Sequence, residues 1–203
     1  MSAAPSAGNL TASVSVGGVS SGAAVQVAKV LPTVTSSNAN LDANAATITI
    51  NGTGFSTTAG NNTVVFNNGA VGTVTSATST ALTVTFSTKP TSAGSLTAIV
   101  TTNSVASAAA VQVATVKPVV TQSLTNLARS ANTITINGFG FSPTAANNTV
   151  VFNNSATGTV TAATATSLTI TFGTKPVNAG SLTAIITSNT VGSGSAVQVA
   201  TMT

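Results

Sequence analysis

Thr47-Ile48-Thr49-Ile50-Asn51-Gly52-Thr53-Gly54-Phe55 decides the fold, and it returns with one change as Thr133 to Phe141. Ile48 and Ile50 alternate with Thr47 and Thr49, the pattern of a β-strand with one wet face and one buried face. The reading places the strand's end at Asn51-Gly52. It expects a glycine turn next, since glycine accepts the positive φ that tight turns need. The closing Phe is expected to fold back over the isoleucines.

Phe141 lies 86 residues after Phe55, and the same offset relates Phe66 to Phe152, Phe86 to Phe172, Lys89 to Lys175, Pro32 to Pro118 and Gln112 to Gln198. A period of this length suits a small domain with its own core and exceeds a solenoid unit. The chain therefore reads as residues 31–116 and 117–203, two full repeats, preceded by residues 1–30. In that first segment Leu10-Thr11-Ala12 matches Leu96-Thr97-Ala98, and Val25-Gln26-Val27-Ala28 matches Val111-Gln112-Val113-Ala114. It is expected to be the last two strands of an incomplete repeat, at about 10–16 and 20–27, joined at a Gly17-Gly18 hairpin turn.

Within the first full repeat, strands are expected at 33–36, 46–51, 62–66, 71–76, 81–86, 95–102 and 105–113. Gly, Asn, Pro and Ser punctuate the gaps. Leu82, Val84 and Phe86 alternate with Thr83 and Thr85, and Leu168, Ile170 and Phe172 repeat that set. Seven short strands at this spacing predict an all-β, two-sheet sandwich. The junctions, Val30-Leu31-Pro32 and Val116-Lys117-Pro118, leave no room for a flexible linker. Proline also biases its neighbourhood toward extended backbone.

The composition narrows the chemistry. The 203 residues include no Cys, His, Trp or Tyr, five Lys and Arg and a single acid, Asp42, with 42% hydrophobic residues. That much β-branched apolar content argues against disorder. The basic balance reflects missing acids rather than abundant bases, and the five cations are scattered, unlike the basic face of a nucleic-acid binder. No apolar run approaches the ~18 residues of a membrane-spanning helix. The N-terminus does not read as a secretory signal.

General acid–base catalysis needs a titrating group near working pH, and only Asp42 is on offer, in a polar loop. Zinc prefers Cys and His, and calcium needs several oxygens, so neither metal has a visible site. No catalytic residue and no cofactor is expected. A Lys–Asn crosslink of the kind known in surface sandwiches would have to use Asp42. Six phenylalanines form repeat pairs at core-facing positions. Phe139 is the exception, because its counterpart is Thr53; it is the candidate for an exposed contact. The Asn-rich turns at 67–69 and 153–155 are the other candidate loops.

Ile48-Thr49-Ile50-Asn51-Gly52-Thr53-Gly54-Phe55, Asn62-Thr63-Val64-Val65-Phe66, Leu82-Thr83-Val84-Thr85-Phe86 and Ala93-Gly94-Ser95-Leu96 together resemble the IPT/TIG domain, an immunoglobulin-like sandwich. The resemblance implies tandem IPT/TIG-type sandwiches. The Thr/Asn/Ser-rich, acid-poor composition is most similar to bacterial surface members. It implies a non-catalytic stalk or spacer at the cell surface or outside the cell, whose partners are neighbouring repeats. Two alternatives stand beside it: a self-assembling subunit that associates through the residue 1–28 hairpin, and a module that binds a ligand or receptor through its loops.

Overall fold

The computed structural model describes residues 6–203. A ribbon comes first, with β1 (Gly8–Ala12), β2 (Ser15–Val16), β3 (Val19–Ser20) and β4 (Val25–Val30). β1 pairs with β4 and β2 with β3, both antiparallel. Gly17 and Gly18, at φ 56 and 83, make the two-residue turn between β2 and β3, the backbone that a right-twisted hairpin favours.

The next nine strands are β5 (Thr33–Val34), β6 (Asn40–Asp42), β7 (Thr47–Thr53), β8 (Asn62–Phe66), β9 (Val71–Ala77), β10 (Ala81–Thr88), β11 (Gly94–Thr102), β12 (Val105–Ala106) and β13 (Val111–Lys117). They form two sheets. One has the order β5-β7-β10-β9; in the other, β11 pairs with β8, β12 and β13, and β6 adds to β13. Ile48, Ile50, Leu82 and Val84 from the first sheet meet Leu96, Ala98, Val100 and Val116 from the second in one core. Alternation along each strand produces this, because side chains one residue apart point to opposite faces.

The pattern recurs in β14 (Val119–Val120), β15 (Asn126–Leu127), β16 (Thr133–Phe139), β17 (Asn148–Phe152), β18 (Thr157–Ala163), β19 (Ser167–Thr174), β20 (Gly180–Ser188), β21 (Val191–Gly192) and β22 (Val197–Met202). A second, separate core holds Ile134, Ile136, Leu168, Ile170, Leu182, Ile186 and Met202.

Three local expectations are corrected. The strand of the opening phrase does not stop at Asn51-Gly52 but runs through Thr53. Gly52 stays in the strand for reasons of space: a Cβ there would lie 2.0 Å from the Thr33 carbonyl oxygen and 2.4 Å from the Phe55 ring. Only the second glycine needs positive φ, 75° at Gly54 and 74° at Gly140. The expected strand 105–113 is broken at residues 107–110 and extends instead to Lys117. The break comes where the Ser107 hydroxyl accepts the Val100 N–H at 3.2 Å, a side chain taking over a ladder bond.

The third correction is β6, which the alternation pattern does not announce. After Val34 the chain crosses to the other sheet and pairs in parallel with β13, Leu41 beside Val116. Three residues of parallel pairing are held by a distant strand rather than by local pattern, which is why the periodicity is silent there.

Candidate functional site: the joint between sandwiches

The two sandwiches meet at the Gly-x-Gly-Phe turn that the opening phrase encodes. Gly138 lets the Phe141 ring fold beneath the strand, where a Cβ would lie 2.4 Å from it, and Phe141 is fully buried. That closes the turn and points the Gly140 carbonyl out of the end of the second sandwich. Ala93, at the entry to β11 of the first sandwich, donates its N–H to that carbonyl at 2.8 Å. Asn189 returns the contact, its Nδ2 donating to the Ala93 carbonyl at 3.0 Å. Asn189 and Thr190 form the β20–β21 turn with φ 47 and 70; asparagine is among the few side chains that tolerate this region. Ala93 is thus held at both backbone groups, and it is buried.

Close packing supports these bonds. A Cβ on Gly140 would lie 2.5 Å from the Cβ of Ala43, a wholly buried residue of the first sandwich. Pro118 is the single residue between β13 and β14, and it too is buried.

The same joint occurs once more, 86 residues earlier. Ala7, just before β1, donates to the Gly54 carbonyl at 2.8 Å, and Asn103 Nδ2 donates to the Ala7 carbonyl at 3.0 Å. The ribbon is therefore seated on the first sandwich as the first sandwich is seated on the second.

Charged residues gather here as well. Lys89 Nζ lies 5.7 Å from the centroid of the Phe139 ring, within reach of a cation–π attraction. Lys117 Nζ is 3.7 Å from Asp42, with the two side chains 30% and 58% exposed. A pair this wet contributes little stability. Asp42 is thus a surface partner of Lys117. Phe139, the contact candidate of the sequence, is 36% exposed and sits on the second sandwich under a lysine of the first.

Behind the turn lies a site that sequence reasoning missed. Asn62 is buried, its Oδ1 accepting from the Ser56 N–H at 3.1 Å and the Thr102 hydroxyl at 2.8 Å. Its Nδ2 donates to the Ser56 and Thr58 carbonyls. Asn148 repeats this with Ser142 and Thr144, and the Ser188 hydroxyl accepts from the Ser142 N–H at 2.8 Å. These asparagines satisfy the backbone of the segment that follows the phrase. The available signal was the Asn-Asn-Thr-Val-Val-Phe motif, whose second Asn opens a strand in both repeats.

The 67–69 and 153–155 turns are likewise tied down. Asn68 Oδ1 accepts from Ser92, and Asn153 Oδ1 accepts from the Thr183 N–H. Among the described residues no helix is long and apolar enough to cross a membrane.

A match to a known family agrees with the fold of the first sandwich. Residues 30–116 match the IPT/TIG domain. No curated protein matches the chain. Among solved structures, the Bacteroides ovatus mixed-linkage glucan utilization locus protein SGBP-B, in complex with a mixed-linkage heptasaccharide, is 16% identical at a TM-score of 0.33 over 81% of this chain and 43% of that one. Titin domains I67–I69 are 12% identical, with a TM-score of 0.32, over 85% of this chain and 65% of that one. Domains 4 and 5 of the S-layer protein SbsC are 20% identical, with a TM-score of 0.27, over 84% of this chain and 96% of that one. The chain spans less than two thirds of the first two. Likeness at this level carries no argument about role. Residues 30–116 are an IPT/TIG domain, and residues 117–203 repeat its sheets and core.

Proposed function

We propose that the chain is a non-catalytic spacer of a cell-surface or extracellular protein, in which IPT/TIG-type sandwiches are stacked end to end at a fixed angle. The observation that carries this reading is the recurrence of one joint: Ala7 with Gly54 and Asn103, then Ala93 with Gly140 and Asn189. A joint specified by one backbone hydrogen bond, a second from an asparagine side chain, a buried proline and a glycine packed on Ala43 restricts rotation between neighbours. Interfaces between domains of one chain otherwise permit relative motion as a rule. The Thr/Ser/Asn-rich, charge-poor surface suits a passive element.

The test is the distribution of distances between spin labels placed on β9 and β18 of the full chain. A single narrow distribution in the native chain, broadened in Asn189→Ala, is the expected result. A broad distribution in the native chain would remove the spacer reading.

A further inference from the structure

The half of the joint that the first sandwich supplies recurs in the second sandwich, with an exchange at its point of closest approach. Ala93-Gly94 returns as Ala179-Gly180, and Gly94 and Gly180 share a positive φ, 127 and 113. Ala43, which packs on Gly140, returns as Arg129. The backbone around the exchange is the same. Ala43 N–H donates to the Lys117 carbonyl at 2.9 Å, and Arg129 N–H to the Thr203 carbonyl at 3.1 Å. The turn that follows closes with Ala45 N–H on the Asp42 carbonyl in one case and Ala131 N–H on the Ala128 carbonyl in the other. Leu41 lies beside Val116, and Leu127 beside Met202.

Position 43 has no room to spare in the joint. The Cβ of Ala43 is the atom that an added Cβ on Gly140 would meet, at 2.5 Å. Ala43 is 0% exposed there, so no opening is left for a further carbon. Arg129 extends well past its Cβ. Its side chain lies on the surface, where Nη1 donates to the Val177 carbonyl at 3.2 Å. Closing the same joint over it would force the side chain into occupied space, and overpacking of that kind displaces its neighbours. It would also trap a guanidinium, which is costly to bury without an acid beside it. The chain's single acid, Asp42, belongs to the first sandwich and lies beside Lys117. A sandwich with the sequence of residues 117–203 brings none.

We propose that this one position selects what docks on a sandwich: Ala43 admits the Gly140 turn, and Arg129 excludes a further sandwich of this kind from docking in the geometry that Ala43 permits. The inference rests on the fixed joint proposed above. It adds that the stack is not uniform, because each joint is admitted or refused by a residue of the preceding sandwich. It holds whatever follows residue 203, since the exclusion comes from the bulk and charge of Arg129. The second sandwich also shows that an arginine here does not disturb the domain that carries it. Its core and its β15–β22 pairing match the core and the β6–β13 pairing of the first. The side chain at this position therefore acts on docking and not on folding. Selectivity of this sort works by obstructing the wrong neighbour.

The test extends the full chain by a second copy of residues 118–203, joined directly after Thr203 as Pro118 follows Lys117. Spin labels on β18 and on the same residue of the added copy report the new joint, and labels on β9 and β18 report the native one. With Arg129 in place the new joint should give a broad distance distribution. Arg129→Ala should narrow it to the width and mean distance of the native joint. In the reciprocal arm, Ala43→Arg in the full chain should broaden or lengthen the β9–β18 distribution, while hydrogen exchange in β6 and β13 stays native. A new joint that is narrow at the native distance despite Arg129 would overturn the proposal. So would one that stays broad in Arg129→Ala, or a native β9–β18 distribution in Ala43→Arg. Loss of exchange protection in β6 and β13 of Ala43→Arg would overturn it too, by showing that the first sandwich itself needs the alanine. All four outcomes leave the spacer reading standing if the native β9–β18 distribution is narrow, and a broad native distribution removes both.

Discussion

The backbone N–H of Ala93 reaches the Gly140 carbonyl at 2.8 Å, and that of Ala7 reaches the Gly54 carbonyl at the same distance. Two contacts this alike, 86 residues apart, make the joint a property of the repeat and not of one junction. Its asparagine clamp can be removed without entering either core. Asn189→Ala is expected to broaden the inter-sandwich distance distribution. The first sandwich should keep its unfolding free energy to within about 0.5 kcal/mol, and the second should lose about 1–2 kcal/mol, because alanine is strained at the φ of 47° that Asn189 adopts. Denaturant unfolding read beside the spin-label distances checks both halves of that statement.

The two glycines of the turn should respond differently to alanine. At Gly138 a Cβ would sit 2.1 Å from the Val119 carbonyl oxygen and 2.4 Å from the Phe141 ring. Gly138→Ala should therefore cost its own sandwich about 3 kcal/mol or more through steric displacement. At Gly54 the nearest atom is 3.4 Å away, and the main penalty is the positive φ, about 1–2 kcal/mol. Equal losses in chemical denaturation would contradict this assignment of space to the first glycine and conformation to the second.

Gly140→Ala adds an effect that Gly54→Ala lacks, because Ala43 of the preceding sandwich lies 2.5 Å from the added carbon. The spin-label distance between the sandwiches should lengthen or broaden in Gly140→Ala. A native distribution in that variant would show that Ala43 does not set the approach of the two domains.

Asn62→Ala removes the acceptor for the Ser56 N–H and the donor to the Ser56 and Thr58 carbonyls in a buried place. A loss of about 2–4 kcal/mol is expected, the cost of leaving several buried polar groups unpaired. Asn148→Ala should cost less, because Ser188 still accepts from the Ser142 N–H. Urea unfolding of the two variants, compared pairwise, tests the order.

Because the cores are separate, Leu82→Ala and Leu168→Ala should each destabilise one sandwich by about 2–5 kcal/mol. Hydrogen exchange resolved by residue should show the loss confined to residues 31–116 in the first case and 117–203 in the second. Spread of either effect across both sets would mean that the joint couples their unfolding.

Much of this protein could be read before any coordinates. The alternation of Ile48 with Ile50 and of Leu82 with Val84 announces faces, because side-chain direction along a strand is a local property of period two. The 86-residue offset likewise carries the repeat, the tight junctions and the Gly17-Gly18 turn. Local patterns fail where a partner far along the chain decides. β6 exists because β13 runs beside it, and the 105–113 strand breaks because Ser107 meets Val100. Gly52 is needed because Thr33 and Phe55 crowd it, and Asn62 is buried because Ser56 and Thr102 close over it.

The sequence alone determined the sheet class, the repeat and the scarcity of titratable side chains, all of which follow from composition and short-range periodicity. Only the tertiary structure decided what the Gly-x-Gly-Phe phrase is for: it closes a sandwich and leaves the Gly140 carbonyl facing outward for Ala93. It decided too that Leu10, Val14 and Val27 stand uncovered, since burial depends on which sheet lies opposite a strand and not on the strand's own residues.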